Sequence, residues 1–311
     1  MEPGNRQRKK TPLKIRLLLG MGIFFLLSLS AVFPPTQPIW EQAYQLAGLG
    51  APKCDGLLVQ FLNVGSADAA IIHTEDTTIL LDAGTVDCGR KIYHELQHLG
   101  VEKIDLAINT HPDADHIGGF AEVLNRIPVA EYWSPVMPEG WQGETEEYRL
   151  VSQAISSHKV PVKNVLAGDT FSKDGIQLEV LSPQKPEKSD NDNSLVIRMT
   201  YHRKSILWMG DAEASVEEKL IAQNIDLDCD ILKVGHHGSN TSTTAAFLKK
   251  ASPEFAVISC GARRPPSQEV INRLESFGAQ TFCTDVSGTI RFYFETEGIR
   301  FDMQIKPRQG E

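Results

Sequence analysis

The chain has 311 residues, of which 41% are hydrophobic, and its formal net charge is −9 at pH 7. This length allows one large or two small globular domains. The acidic balance argues against tight, nonspecific binding of nucleic acid, because negative charge repels phosphate backbones unless a basic groove or bound cations offset it. Cleavage of a phosphodiester held by cations remains compatible with the charge.

The first 33 residues combine a basic segment with an apolar one. Residues 1–16 hold six Lys or Arg and one acid, and residues 17–33 carry no charge. We predict a basic cytoplasmic tail (1–16), a transmembrane signal-anchor helix (17–33), a linker (34–55) and a domain outside the cell membrane. If Ser28-Leu29-Ser30 before Ala31 serves as a signal-peptide cleavage site instead, the domain is secreted.

From Gly56 onward, strand-like and helix-like patterns alternate along the chain. The predicted strands are 57–63, 69–73, 78–82, 106–109, 162–166, 170–171, 177–181, 194–201, 205–209, 230–234, 255–259, 281–284, 290–294 and 299–305. The predicted helices are 90–99, 120–127, 146–158, 214–223, 244–250 and 268–277. Strand-rich halves that each end in helices suggest an α/β domain over 56–306, an αββα sandwich of two face-to-face sheets.

The five cysteines are few, scattered and without a C-x-x-C spacing, so they do not form a disulfide framework. In an exported domain Cys54 and Cys88, or Cys260 and Cys283, could pair. Burial as free thiols is the alternative for Cys229 and Cys260, because both lie in apolar, strand-like runs.

Four side chains of metal-binding type lie close together in T-H-P-D-A-D-H-I-G-G. His111, Asp113, Asp115 and His116 follow one predicted strand and precede a predicted helix. Imidazole and carboxylate groups are ligands of zinc, manganese and iron, and two such groups per ion allow a two-metal site. A polar turn that caps the next helix would need only one Asp. The cluster therefore predicts a metal site.

Other strands also end in, or begin after, polar side chains. Asp82 ends I-L-L-D, Asp211 follows W-M-G, and the pair His236 and His237 follows L-K-V-G. The segment 189–194, S-D-N-D-N-S, precedes another strand. Each feature alone is weak, since an Asp at a strand end commonly caps a turn. Together with the His111 cluster, they predict ligands gathered at one edge of the sandwich.

These motifs resemble those of the metallo-β-lactamase-fold hydrolases, and among them the C-terminal domain of ComEC-type competence (DNA-uptake) proteins and its stand-alone relatives. The resemblance covers about residues 57–292 and includes F-L-N-V-G-S-A-D-A, D-A-G, T-H-P-D-A-D-H-I-G-G, N-D-N-S-L-V-I, G-D-A-E and L-K-V-G-H-H-G-S. It implies a metallo-β-lactamase-like αββα domain and two divalent cations, Zn or Mn. Hydroxide held between the cations would attack a carbonyl or phosphoryl centre.

The resemblance also implies a set of metal ligands: His111, Asp113, Asp115, His116, Asp211, His236 and His237. The first two would hold one ion. The next two, with either His236 or His237, would hold the other, and Asp211 would bridge both. Asp115 would accept the proton of the attacking water. One of the paired histidines should ligate and the other contact substrate or accept a hydrogen bond, and the sequence leaves open which is which. His237 is therefore a candidate catalytic residue as well as a candidate ligand.

Four acids are expected to support the ligands: Asp68, Asp82, Asp190 and Asp192. Asp82 would orient a ligand imidazole. Asp113 stands where the wider family has His, and the usual His of the third motif is missing near Asp190. An oxygen-richer first site should bind zinc less tightly and either prefer manganese or stay empty at low metal concentration. Arg263 and Arg264, near the metal edge, could bind a phosphate.

Three functions are compatible with these features. The first is a membrane-anchored, extracytoplasmic metal-dependent hydrolase of phosphodiesters, acting as a nuclease or phosphoesterase. The second is a hydrolase of the same fold that acts on a lactone, lactam or thioester. The third is a non-catalytic, metal-stabilised binding module linked to DNA uptake. The ComEC-type resemblance favours the phosphodiester, and the acidic domain disfavours long nucleic acid as the substrate.

Overall fold

The computed structural model describes residues 56–305 apart from positions 142, 144, 296 and 297. The strands in this part of the chain are β1 Leu57–Phe61, β2 Ala69–His73, β3 Thr78–Ala83, β4 Leu106–Ile108, β5 Tyr132–Pro135, β6 Val162–Val165, β7 Thr170–Lys173, β8 Ile176–Ser182, β9 Val196–Tyr201, β10 Lys204–Trp208, β11 Ile231–Lys233, β12 Phe255–Ile258, β13 Gln280–Cys283, β14 Ile290–Glu295 and β15 Gly298–Met303. The helices are α1 Gly89–His98, α2 Ala114–Ile117, α3 Phe120–Leu124, α4 Glu146–His158, α5 Ala214–Ala222, α6 Ala245–Ala251, α7 Gln268–Ser276 and α8 Thr284–Ser287.

The strands form two mixed sheets. The first has the order β15-β14-β1-β2-β3-β4-β5-β6, and the second has the order β13-β12-β11-β10-β9-β8-β7. Each contains a parallel block, β3 to β6 in the first sheet and β10 to β13 in the second. Because the carboxyl ends of parallel strands meet at one edge of a sheet, the loops after β3, β4, β10 and β11 are placed to build a shared site.

The core has three apolar layers. Between the sheets, Phe61 packs against Trp208 and Phe292, with ring centroids 5.9 and 6.0 Å apart. One outer layer joins the first sheet to α1, α3 and α4, and the other joins the second sheet to α5, α6 and α7. Truncating a buried aromatic such as Phe61 to Ala would cost about 3–5 kcal/mol. The helix–sheet–sheet–helix order confirms the predicted α/β architecture with two packed sheets.

One strand and two short helices were not predicted from the sequence. Strand β5 contains Trp133, which is buried between the sheets, where its ring contacts Phe171 at 6.3 Å and the Lys163 ammonium at 4.9 Å. Its segment reads as the start of a Pro/Gly-rich loop, because four residues are too few to show a period. The short helices α2 and α8 each span four residues.

The predictions for residues 1–16, 17–33 and 34–55, including Cys54, lie outside the described residues. Among those that are described, no helix is both long and apolar enough to cross a membrane. Helix α4 has 13 residues, whereas a span needs about 20. The predicted single-pass location at the cell membrane required such a helix and is corrected on this finding.

The described cysteines, Cys88, Cys229, Cys260 and Cys283, are all free thiols. Cys229 and Cys260 are buried, in agreement with the free-thiol alternative. No disulfide joins Cys260 to Cys283 in the structure, and the predicted partner of Cys88 lies outside the described residues.

A candidate metal centre between the two sheets

Asp82 and Thr110 fix the orientation of His116. Asp82 Oδ1 accepts a hydrogen bond from Thr110 N at 2.8 Å, and Oδ2 accepts from Thr110 Oγ1 at 2.8 Å and from His116 Nδ1 at 2.9 Å. With one proton held on Nδ1, His116 is left with Nε2 on its other side as the atom that can bind a cation once it has lost its own proton. This is the tautomer and second hydrogen bond that metal-ligating histidines usually have.

His111 and His237 are oriented in the same way. His111 Nδ1 lies 3.1 Å from Thr110 Oγ1, and His237 Nδ1 lies 3.0 Å from the carbonyl oxygen of Ser259. Since a carbonyl only accepts, His237 carries its proton on Nδ1 and leaves Nε2 free. Three imidazoles therefore offer Nε2 lone pairs from loops on both sheets.

The Asp211 carboxylate lies between the three imidazole rings. Its Oδ1 lies 3.3 Å from His116 Nε2, and its Oδ2 lies 3.9 Å from His111 Nε2 and 3.6 Å from His237 Nε2. The turn that carries Asp211 is held by a hydrogen bond from its N–H to Ser194 Oγ at 2.9 Å. Gly210, just before it, has φ of 53°, and a Cβ there would lie 2.9 Å from that of Ser194, so a side chain at this position would displace the turn.

Several atoms of this cluster are buried without a hydrogen-bond partner among the described residues. They are His111 Nε2, His116 Nε2, His237 Nε2, Asp211 Oδ1 and Asp68 Oδ1. Leaving a buried polar atom unpaired costs about 1–3 kcal/mol, so such a concentration needs a physical reason. One atom each from Asp68, His116, Asp211 and His237 lie within 4.8 Å of one another. Imidazole nitrogens and carboxylate oxygens at this spacing fit a divalent cation of the zinc, manganese or iron type.

The charges of the cluster are strongly coupled. Burial alone would raise the pKa of Asp211, but the facing imidazoles of His116, His237 and His111 together hold that pKa well below its ordinary value. Burial alone would lower the pKa of His116, but the Asp211 and Asp82 carboxylates raise it well above its ordinary value. Burial lowers the pKa of His237, which keeps that ring neutral. A cation would take the place of the proton that Asp211 and His116 otherwise share.

The other predicted ligands lie around this centre. Asp113 Oδ2 lies 3.5 Å from His111 Nε2. Asp115 Oδ2 lies 3.6 Å from His237 Nε2 and 3.1 Å from Arg264 Nη1. The half-buried His236 has its Nε2 3.9 Å from Asp211 Oδ2 and its Nδ1 3.2 Å from Glu213 Oε1. All seven residues predicted as ligands are thus brought to one edge, with His237 more deeply buried than His236.

Asp68 faces the back of the imidazoles. Its Oδ2 lies 3.9 Å from His116 Nδ1, and its Oδ1 lies 3.9 Å from His237 Nδ1. Both Nδ1 atoms already donate to other acceptors, so we interpret Asp68 as a support for the rings, although one of its oxygens is near enough to belong to the ligand cluster. Lys233 Nζ lies 2.8 Å from Asp68 Oδ2 and is buried with it. The sequence reasoning missed Lys233, whose only signal is a charge inside the apolar strand L-K-V.

The remaining predicted residues differ in position. Asp190 lies near Asp113 and His111, because both affect its ionisation. Burial and then the Asp113 carboxylate raise the pKa of Asp190. Asp192 instead accepts hydrogen bonds from Ser215 Oγ at 2.9 Å, at the start of α5. Arg264 reaches Asp115, and Arg263 beside it is exposed.

A brace behind the loop of the paired histidines was also missed. Glu217, buried on α5, accepts hydrogen bonds from the backbone N–H groups of Thr243 and Thr244. Arg273 on α7 donates to the Thr243 carbonyl at 2.7 Å. In the sequence both residues read as solvent-facing helix positions, because a charge on an amphipathic helix normally faces water.

Comparison with known proteins agrees with this fold. Residues 62–262 match the family described as the Metallo-beta-lactamase superfamily, and the chain belongs to it. The chain is similar to ComE operon protein 3 of Bacillus subtilis (strain 168), with 29% identity over 259 residues that cover 76% of this chain and 33% of that protein. It is also similar to Competence protein ComA of Neisseria gonorrhoeae, with 30% identity over 244 residues that cover 76% of this chain and 32% of that protein. These relatives confirm the ComEC-type resemblance.

The chain spans about a third of the length of these curated relatives. Among solved structures, the metallo-beta-lactamase fold protein YhfI from Bacillus subtilis superposes with a TM-score of 0.51 at 10% identity. The match covers 75% of this chain and 98% of that one. At this identity the likeness shows the shared fold.

Proposed function

We propose that this domain is a metal-dependent phosphodiesterase. The observation that carries the proposal is the convergence of buried Nε2 atoms from His111, His116 and His237 on Asp211, with no protein partner for them among the described residues. A divalent cation bound by such donors lowers the pKa of coordinated water from about 15.7 towards 7 and polarises the bond to be broken.

The proposed ligands divide around Asp211. His111 and Asp113 would hold one cation, and His116 with His237 and Asp115 would hold the other, while the two Asp211 oxygens face both groups. Because Asp113 supplies an oxygen where a second imidazole nitrogen would favour zinc, we propose Mn²⁺ as the better activator of the first site. Asp82, Ser259 and Thr110 hold the Nδ1 atoms of the rings, so that the Nε2 atoms point inward.

Proton transfer and substrate binding would fall to the rim. Asp115 Oδ2 is partly exposed and lies beside His237 Nε2, so it would take the proton of the attacking water. The Arg264 guanidinium, 60% exposed and 3.1 Å from Asp115, would bind a phosphate oxygen and release Asp115 as it does so. The positive charge of Arg264 at the rim supports an anionic phosphodiester, rather than a neutral lactam carbonyl, as the group attacked. The competence proteins among the relatives support the same choice.

Hydrolysis of bis-p-nitrophenyl phosphate by the full chain, with Mn²⁺ or Zn²⁺ added, tests the proposal. We expect metal-dependent release of p-nitrophenolate and no turnover of nitrocefin, a lactam probe. Asp211→Ala should lower the rate at least about 100-fold, because the charge stabilisation that the metal supplies is worth several kcal/mol. The exposed Asp76→Ala is the matched control and should retain the rate.

Each alternative has its own signature in this experiment. Turnover of nitrocefin alone would favour the lactam hydrolase. Bound metal without turnover of either probe would favour the non-catalytic binding module. Full phosphodiesterase activity in metal-free protein or in Asp211→Ala would contradict the proposal.

A further inference from the structure

A second cluster of reactive side chains lies on the second sheet, apart from the proposed ligands. Cys260 follows β12, Cys283 ends β13, and Asp285 lies in the first turn of α8. The two sulfurs and one carboxylate oxygen lie within 4.8 Å of one another. Cys260 is buried, Cys283 is partly exposed, and Cys260 Sγ donates a hydrogen bond to Asp285 Oδ1 at 3.2 Å.

The two thiols are chemically unequal. The neighbouring Cys260 thiol lowers the pKa of Cys283. The same contact, followed by burial, raises the pKa of Cys260 well above its ordinary value. Because Cys283 is partly exposed and Cys260 is buried, water stabilises a thiolate better at Cys283, and Cys260 keeps its proton beside a carboxylate that can accept it. A low-pKa, accessible thiol next to a second cysteine is the arrangement found at sites that react with disulfides.

We propose that Cys283 and Cys260 form a dithiol modification site that low-molecular-weight disulfides oxidise. The Cys283 thiolate attacks one sulfur of the small disulfide, so that a mixed disulfide forms and one small thiolate leaves. Asp285 then takes the proton of Cys260, and the Cys260 sulfur attacks the Cys283 sulfur. The second small thiolate leaves and regains a proton, so two protein thiols are oxidised and one small disulfide is reduced to two thiols.

The position of this pair connects it to the candidate metal centre. The residue before Cys260 is Ser259, whose carbonyl orients His237. A disulfide holds its sulfurs about 2.05 Å apart, so we infer that closure draws the backbone at Cys260 towards Cys283. On the other side of Cys260, the Gly261 backbone packs so closely on residues 65 and 66 that a Cβ at Gly261 would lie 2.7 Å from Ser66 N. This coupling rests on the proposed function, whereas the oxidation itself does not.

Alkylation and peptide mass spectrometry test the oxidation on the full chain. Reduced protein is incubated with oxidised glutathione, quenched with iodoacetamide and digested. We expect one intramolecular disulfide between Cys260 and Cys283. Cys260→Ser should stop at a glutathione adduct on Cys283, and Asp285→Asn should slow closure about tenfold or more, because it removes a general base.

Cys229→Ser is the matched control and should oxidise like the wild-type chain, since burial raises the pKa of Cys229 to about 12 and its sulfur donates to the Ala251 carbonyl. If Cys88 or Cys229 reacted with oxidised glutathione before Cys283, the proposal would be overturned. A stable glutathione adduct on Cys283 in the wild-type chain would also overturn it. A chain pretreated with Cd²⁺, which binds thiolates, should form the disulfide once the metal is removed, and failure to do so would overturn the proposal as well.

Metal affinity of the oxidised and reduced chains tests the coupling separately. We expect the oxidised chain to bind Mn²⁺ at least about threefold more weakly, measured by chelator competition, because the Ser259 carbonyl moves away from His237. Equal affinities would overturn the coupling. Failure of metal binding in both states would instead count against the proposed function, while the mass spectra would still decide the oxidation.

Discussion

Asp82 has a strained backbone conformation, and both of its carboxylate oxygens accept hydrogen bonds. Its φ of 55° is a conformation that costs a residue other than glycine about 1–3 kcal/mol. The bend turns its side chain towards the loop that follows β4, where the two oxygens accept three hydrogen bonds from Thr110 and His116. The orientation of the His116 ring thus depends on a residue outside the proposed set of metal ligands.

We predict that Asp82→Asn weakens metal binding about 10- to 100-fold, the usual effect of losing the hydrogen-bond partner of a ligand histidine. An amide has one acceptor oxygen, so it cannot serve both Thr110 and His116 as the carboxylate does. Competition with a chromophoric chelator measures the dissociation constant, and circular dichroism checks that the variant folds. The exposed Asp76→Asn should bind normally, and an unchanged constant in Asp82→Asn would contradict this role.

At the scale of single residues, sequence reasoning predicted which side chains meet but not how they face each other. The strand-end positions of Asp82, Asp211 and His237 were sufficient, because parallel strands bring their carboxyl ends together. Lys233 and Glu217 were missed, since their functions depend on burial that a local pattern does not reveal. That Asp192 turns to Ser215 depends on one backbone turn, which spacing alone does not determine.

At the scale of elements, Asp105 ties the two sheets to each other. It precedes β4 in the first sheet, where its Oδ2 accepts from Thr78 N at 3.0 Å. Its Oδ1 accepts from Lys173 Nζ at 2.8 Å, and Lys173 ends β7 in the second sheet. Burial would raise the pKa of Asp105, but the bonds from Lys173 and Thr78 outweigh it and lower that pKa.

We predict that Asp105→Asn lowers the free energy of unfolding at pH 7 by about 1–2 kcal/mol, a figure reduced because Lys173 is partly exposed. The folded pKa lies below the unfolded value near 3.8, so the ionised group stabilises the fold above pH 3.8. That stabilisation disappears as the pH falls through the folded pKa. Urea unfolding of metal-free protein at pH 7 and below pH 3 measures both limits.

Asp76→Asn serves as the control and should change little at either pH. A difference between wild type and Asp105→Asn that stays constant as the pH falls would show that the ionised carboxylate is not the stabilising form.

The order and type of most elements followed from the sequence, and their ends differ from the predicted ones by one to three residues. Helix α4 and strand β2 were predicted with the bounds that the structure has. Strand β5 was not, because Tyr132–Pro135 is short and Pro-terminated and its strand character comes from pairing with β4 and β6.

At the scale of the whole molecule, we predict that metal removal lowers thermal stability. A ligand that binds only the folded state stabilises it by about 2.7 kcal/mol at a concentration 100 times its dissociation constant. Calorimetry before and after treatment with a chelator measures the change in Tm. Elemental analysis should find one to two ions per chain, and about half as many in His116→Ala.

Asp211→Ala is the reference for this measurement, because a variant that cannot hold the cation should show no response to the chelator. A wild-type Tm that is the same with and without chelator would argue against cation binding by the folded chain.

The donors of the candidate centre come from both halves of the sandwich: His111 and His116 follow β4 of the first sheet, whereas Asp211 and His237 follow β10 and β11 of the second. A cation held there would join the halves as a non-covalent cross-link at one end of their interface. Sliding of one sheet over the other by an ångström would change the distances between donors on opposite sides. The strength of cation binding would then report the alignment of the sheets, and loss of the cation would free that end of the sandwich to open first.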